Sequence, residues 1–319
     1  MPTLRLQSQK SLFSLTAILF FIISCSKDGD VDTIGPEEIP VDLSAKEIAQ
    51  KLYNDYYVAS KSATEDNAWT GSEAACDPGS VPQSTKEKIF TRLAYFRKAA
   101  GLHNEITENL TKSDKAQRAA LMMHANNTLD HFPPESWKCY STEGKDGAGS
   151  SLLTMSKNAE AIDSYVRDYG ANNGPVGHRR WLLWPRLQEI GIGNTNVSNA
   201  IWVLGNAGNP PTDAPDFIAW PPEGYVPNRV VYPRWSFSIK DADFTATQIS
   251  MKDADGNSIS LSVEELDDAY GDSTIVWVPE GIESNNLEDI PYIVTIKNVK
   301  MGDDLRDFEY HTILFDIND

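Results

Sequence analysis

The chain of 319 residues has little cysteine (three residues) and a deficit of positive charge: 28 Lys and Arg stand against 46 Asp and Glu, for a formal net charge of −18. Three cysteines are too few for the disulfide-dense scaffolds that stand in for a core in small secreted domains. A surface this acidic, with no basic cluster to offset it, repels phosphate backbones and argues against nucleic-acid partners. Absent too are His-Glu-x-x-His, Gly-x-Ser-x-Gly and Cys-x-x-Cys. The sequence thus carries no standard metalloprotease, serine-hydrolase or thiol-redox signature, and no residue is assigned as catalytic. What is present is ordinary globular content, 40% hydrophobic and 10% aromatic. That is enough for one large domain or two ordinary ones.

The beginning of the chain reads as a targeting segment. Arg5 and Lys10 precede an apolar run over 12–23 that ends Ile22-Ile23-Ser24-Cys25. The run suits a signal-peptide core and falls short of the roughly 20 residues of a membrane span. Its last four residues resemble a bacterial lipobox, whose cysteine is acylated and becomes the first mature residue. The alternative is a plain signal peptide beside an unmodified cysteine. The expectation is a signal peptide at 1–24 and an outer-membrane lipoprotein held to the membrane by acyl chains on Cys25. "SKDGD" after Cys25 resembles an acidic tag for cell-surface exposure, and residues 25–43, rich in acids with Pro and Gly, read as a tether. Cys76 and Cys139 then remain. An even remainder in an exported protein suggests one disulfide, the alternative being two free buried thiols.

Helical periodicity predicts a helix opening at a Ser84-x-x-Glu87 capping box, with Ile89, Leu93, Phe96 and Ala100 on one face and Gly101 as its stop. Ser44-x-x-Glu47 marks an earlier start. A further helix is expected over about 113–129 with Ala116, Ala119, Ala120 and Met123 inward, and another over about 158–169. Two strands follow, "LQEIGIG" and "NAIWVLG". Residues 206–227 are proline-rich and aperiodic and read as a linker. Beyond them come only short strand-like runs, from "RVVYPRWSFSI" to "EYHTILFDI", which predict an antiparallel β-sandwich of Ig-like type over 228–319.

Two motif matches fail on inspection. "GIGNTN" lacks the third glycine of a dinucleotide loop, and "DADGNSISLSVE" has its glycine at the wrong place for a calcium loop. The histidines are more informative. His124 and His131 are seven apart, one face of a continuous helix. His131 and His178 both fall at element ends, where neutral imidazoles could converge on zinc or could simply be hydrogen-bonded.

Three segments decide more. "LAYFRKAAGL", "AALMMHANNTLDHFPPESWKCY" and "AIDSYVRDYGANNGPVGHRRWLLWPRLQEIGIG" resemble, in this order and spacing, bacterial members of the CAP superfamily: cysteine-rich secretory proteins, antigen 5 and pathogenesis-related 1. The resemblance implies an α-β-α sandwich over 44–205, giving an α+β chain overall, with a cleft lined by two histidines and two acids. His131 and His178 fall on the histidine positions and Asp168 on the second acid. The first acid belongs to a Gly-Glu-Asn-Leu motif, and this chain has Gly149-Ser150-Ser151-Leu152 there. With that carboxylate gone, the resemblance implies at most a weakly held zinc or other divalent metal on His131, His178 and Asp168. Arg179 or Arg180 is expected to pair with nearby carboxylates. The function implied is a non-catalytic module binding a small ligand or an envelope partner; the alternative is a metal-assisted hydrolase.

Overall fold

Two glycines at alternate positions of one strand set the packing of the N-terminal half. The computed structural model describes residues 43–205, 207–282 and 286–317. The expected signal peptide, lipidated Cys25 and tether as far as residue 42 lie outside the described residues. Helix α1 (Leu43–Leu52) runs into a π-helical turn, Tyr53–Val58. There follow α2 (Gln83–Ala99), β1 (Thr107–Glu108), α3 (Leu110–Asn126), α4 (Thr142–Ser150), β2 (Ser151–Thr154), α5 (Glu160–Arg167), α6 (Gly177–Leu182), β3 (Glu189–Asn194) and β4 (Asn199–Trp202). A side chain on Gly191 would meet the Lys112 carbonyl carbon at 2.4 Å, and one on Gly193 the Ala116 oxygen at 2.1 Å. The "GIG" of β3 therefore lets α3 lie directly on the strand.

The four strands form one sheet in the order β1-β3-β4-β2. Its period of two sorts side chains between two helical layers. Leu153 and Ala200 pack with Ala116, Ala119, Ala120 and Met123 of α3. Their neighbours Leu152 and Ile201 turn the other way, into a cluster with Ile89, Leu93 and Phe96 of α2 and Ile162 and Val166 of α5. This is an α-β-α arrangement. Cys76 and Cys139 are disulfide-bonded, with Cα atoms 5.0 Å apart. Helix α3 stops earlier than its sequence suggests, at Asn127 in the left-handed region, so His124 and His131 do not share a helix face.

The second half holds β5 (Ile218–Trp220), β6 (Gly224–Pro227), β7 (Trp235–Ser238), β8 (Ala242–Asp243), β9 (Gln248–Lys252), β10 (Ser258–Ile259), β11 (Leu261–Val263), β12 (Thr274–Pro279), β13 (Ile290–Met301) and β14 (Asp304–Phe315). One sheet runs β10-β9-β13-β14-β6 with β8 beside β13, the other β11-β12-β7-β5. All pairs here are antiparallel except β6 with β14, which is parallel. Rings from the two sheets meet between them: Trp235 with Tyr292 at 6.0 Å, and Phe237 with Phe308 at 5.4 Å. Burying side chains of this size contributes about 2–3 kcal/mol each.

The stretch read as a linker, 206–227, is a correction. It supplies β5 to one sheet and β6 to the other. Prolines hid these strands because they sit at strand ends, as Pro221 and Pro227 do, where no ladder N–H is lost. Residues 38–319 form one compact unit, and its main core runs from Phe96 of α2 through Trp220 of β5 to Phe315 of β14. Among the described residues no helix is long and apolar enough to cross a membrane.

Candidate binding cleft

Helix α5 ends because Asp168 takes a left-handed conformation, φ 51°. The turn aims its carboxylate back at the start of α6. There Oδ1 accepts from His178 Nδ1 at 2.7 Å and Oδ2 from the His178 backbone N–H at 2.9 Å. Asp168 thus does two jobs: it satisfies an orphan donor at a helix start and orients the imidazole through a proton on Nδ1, turning Nε2 away from itself. Tyr165, one turn earlier, sets its ring 5.6 Å from that of His178 and sends its hydroxyl to the Leu152 and Asn199 carbonyls, at 3.0 Å each. Val176, just before the helix, is held at φ 47°, an unfavourable region for a β-branched residue. The backbone around His178 is therefore set by its surroundings and not by local preference.

His131 reaches the same place from another element. Its Nδ1 lies 2.9 Å from the Ala148 carbonyl. A carbonyl only accepts, so this ring too carries its proton on Nδ1. Helix α4 presents that carbonyl near its end and then delivers Gly149, Ser150 and Ser151. It can do so because Gly147 lets α4 sit on α3: a side chain there would meet the Lys115 oxygen at 2.2 Å.

Both histidines line one open cleft of about 470 Å³. Trp181 of α6, Phe132, Ser151 and Asn173 contribute to its walls, and so does Tyr270, which lies between β11 and β12 of the sandwich. The two glycines of "GPVGH" mark where that loop seats. A side chain on Gly177 would meet the Tyr270 ring at 2.8 Å, and one on Gly174 a Glu264 oxygen at 2.9 Å. Sequence reasoning missed Tyr270 altogether; "DDAYGD" reads as a turn, and only tertiary packing brings it to the cleft.

The expected ligand set does not assemble. Asp168 is 1% exposed and stands behind His178, with both oxygens engaged, instead of lining the cleft. Among the described residues no group of three or more His, Cys, Asp or Glu side chains comes together to hold a metal. The cleft offers two imidazoles whose Nδ1 atoms are tied, an outer-shell pattern that suits metal ligation, but no third donor with charge. A tightly held zinc does not fit these residues. His124 is elsewhere, its ring 5.3 Å from Trp69.

The arginines are also corrected. Among the described residues neither Arg179 nor Arg180 forms an ion pair with a carboxylate; Arg180 donates to backbone carbonyls of the sandwich, and Arg179 to one carbonyl of α5 and one of the sandwich. Arg179 reaches Val166 at 2.7 Å and Arg234 at 2.8 Å. Arg180 reaches Asp267 at 2.6 Å and Asp272 at 2.8 Å. Burial pulls the Arg179 guanidinium down to about 10, against the opposing charge of Asp168, which still leaves it protonated at neutral pH.

A three-layer α-β-α unit with paired histidines in an open cleft defines a class, and comparison agrees. Residues 90–205 match the model of the cysteine-rich secretory protein family, CAP. This segment of the chain is a CAP domain, and the matched span contains His131, Asp168 and His178. No curated protein matched the chain.

Proposed function

We propose that the protein is a lipid-anchored, exported module that binds a ligand in the His131/His178 cleft without turning it over. One observation carries this reading: both imidazoles are tied through Nδ1 and turn Nε2 to an open cleft where, among the described residues, neither a third metal donor nor a nucleophile bonded to either ring is present. Such a cleft is equipped to accept hydrogen bonds and to exclude water along aromatic walls. The lipobox at Cys25 supports the anchor, and with it an outer-membrane location and an envelope or extracellular partner.

Two measurements test it. Replacing Cys25 with Ala should move the protein from the membrane fraction to the soluble one, or block its processing; unchanged fractionation overturns the anchor. A thermal-shift screen of small uncharged compounds should give hits that the His131→Ala/His178→Ala variant loses, with mass spectrometry recovering each compound intact.

A hydrolase is the second reading, favoured by the Asp168–His178 pair, which orients the imidazole as a general base needs. Turnover of any hit that Asp168→Asn abolishes would replace the binding reading with this one.

A further inference from the structure

The chemistry of the cleft walls narrows the ligand, and this step rests on the reading that the cleft binds. Among the described residues that line it there is no Lys, Arg, Asp or Glu. Asp168 is buried behind His178, and Arg179 and Arg180 point away from the cleft to donate to sandwich carbonyls. A phosphate, sulfate or carboxylate would find no cation there and would enter the field of an acidic chain. An amine would find no free carboxylate.

What the walls do present is three aromatic side chains, Phe132, Trp181 and Tyr270, set among neutral polar groups. Phe132 is 78% exposed, a large apolar face left to water. Ser151, only 4% exposed, has an Oγ without a hydrogen-bond partner, and buried hydroxyls rarely go unpaired. Asn173 donates to the Tyr169 carbonyl, which leaves its amide oxygen to accept. The two histidines add two more acceptors. Flat apolar faces beside uncharged donors and acceptors complement a molecule with C–H faces and hydroxyl edges. A pyranose ring is such a molecule, and the volume lies in the ordinary range for small-molecule sites.

We propose that the cleft binds a neutral saccharide, its ring faces against Trp181 and Tyr270 and its hydroxyls on the histidines and Asn173. Tyr270 is then a specificity residue supplied by the sandwich. Its ring is fixed by Gly177 beneath and by the Arg180 guanidinium, 5.6 Å from its centroid.

The experiment uses the full chain purified in detergent and follows tryptophan fluorescence and calorimetry. Titrants are neutral oligosaccharides of glucose, mannose, galactose and N-acetylglucosamine, with heparin as the anionic probe and a fluorescent fatty acid as the apolar one. At least one neutral series should bind with Kd of about 1 mM or tighter. Trp181→Ala and Tyr270→Ala should each weaken it about tenfold or more, as loss of an aromatic contact does. Tyr169→Ala, an exposed aromatic outside the cleft, should leave it unchanged, and Tyr270→Phe, which keeps the ring, should recover most of what Tyr270→Ala loses. If only heparin or the fatty acid binds, and Trp181→Ala removes that binding, the saccharide is overturned while the binding cleft stands. Neutral-sugar binding indifferent to Trp181 and Tyr270 also overturns the proposal. If no probe binds at all, both readings fall.

Discussion

The Arg179 guanidinium donates to the backbone carbonyl of Arg234 at 2.8 Å, and Arg234 in return donates to the carbonyls of Asp168 and Gly170, at 3.0 Å each. The segment from the end of α5 through α6 and the entry to β7 are thus cross-bonded in both directions. Trp184 adds a bond to the Asp272 carboxylate at 2.9 Å, and Phe96 packs 5.1 Å from Trp220. The β-sandwich should therefore not fold alone. A fragment starting at residue 215, which holds the whole sandwich predicted over 228–319, should aggregate or lack a cooperative unfolding transition, while the chain from residue 38 melts in one step. Arg179→Met should destabilise that chain by about 3 kcal/mol or more, since it strands buried carbonyls. Two separate calorimetric transitions would refute the shared core.

The Cys76–Cys139 bond spans 63 residues. Closing a loop of that length restricts the unfolded chain by about 4 kcal/mol in the chain-entropy account. Cys76→Ala/Cys139→Ala should lower the melting temperature well beyond the change made by an exposed substitution. Reducing agent should bring the native protein to the same point and leave the variant unmoved.

Asp163 gives a pH dependence with a definite sign. Burial raises its carboxyl above the ordinary 3.8, and the pull of the adjacent Arg92 only partly opposes this. Between 3.8 and the raised value the folded state keeps a proton that the unfolded chain releases. Its contribution to stability is therefore full below that window and lost as pH climbs through it. Asp163→Asn has no such slope. Chemical denaturation from pH 4 to 7 should show native stability, relative to Asp163→Asn, declining as pH rises; a rising difference would mean that Arg92 outweighs burial.

Zinc should bind weakly. Two imidazoles without a charged third donor fall short of the three protein ligands of catalytic zinc sites. Calorimetry should give an affinity in the micromolar range or weaker, lost in His131→Ala and in His178→Ala. Nanomolar zinc that survives both substitutions would contradict the cleft as described.

How much of this was legible in the sequence follows from what kind of signal each part left. Helices α2, α3 and α5 announce themselves by apolar spacing because each buries one face. Their caps do not: Ser84 lies inside α2, which starts after Pro82, whereas Asn109 and Ser141 cap α3 and α4 through the Lys112 and Gly144 amides. Helix α4 escaped notice because its sequence, TEGKDGAGS, is glycine-rich and intrinsically poor at forming helix; packing on α3 overrides that cost. Their places at element ends make His131 and His178 candidates, and the family resemblance singles them out, since lone histidines carry little local signal. Asp168 was found as well but given the wrong partner: a carboxylate behind a histidine and one beside it look alike in one dimension. Tyr270 lies far along the chain from His178, and no local pattern predicts that such a loop returns to roof the cleft.

The parallel pairing of β6 with β14, Gly224–Pro227 against Thr312–Phe315, has a consequence in time. During synthesis β6 emerges early and waits for the last long strand of the chain before its sheet can close. Arg179 and Arg180 likewise depend on later residues, the carbonyls of Arg234, Asp267 and Asp272, and Gly177 on the ring of Tyr270. The CAP half is made first yet cannot be finished first. The cleft takes its final form only when Tyr270 has returned to it, and non-local closure of this kind is slow.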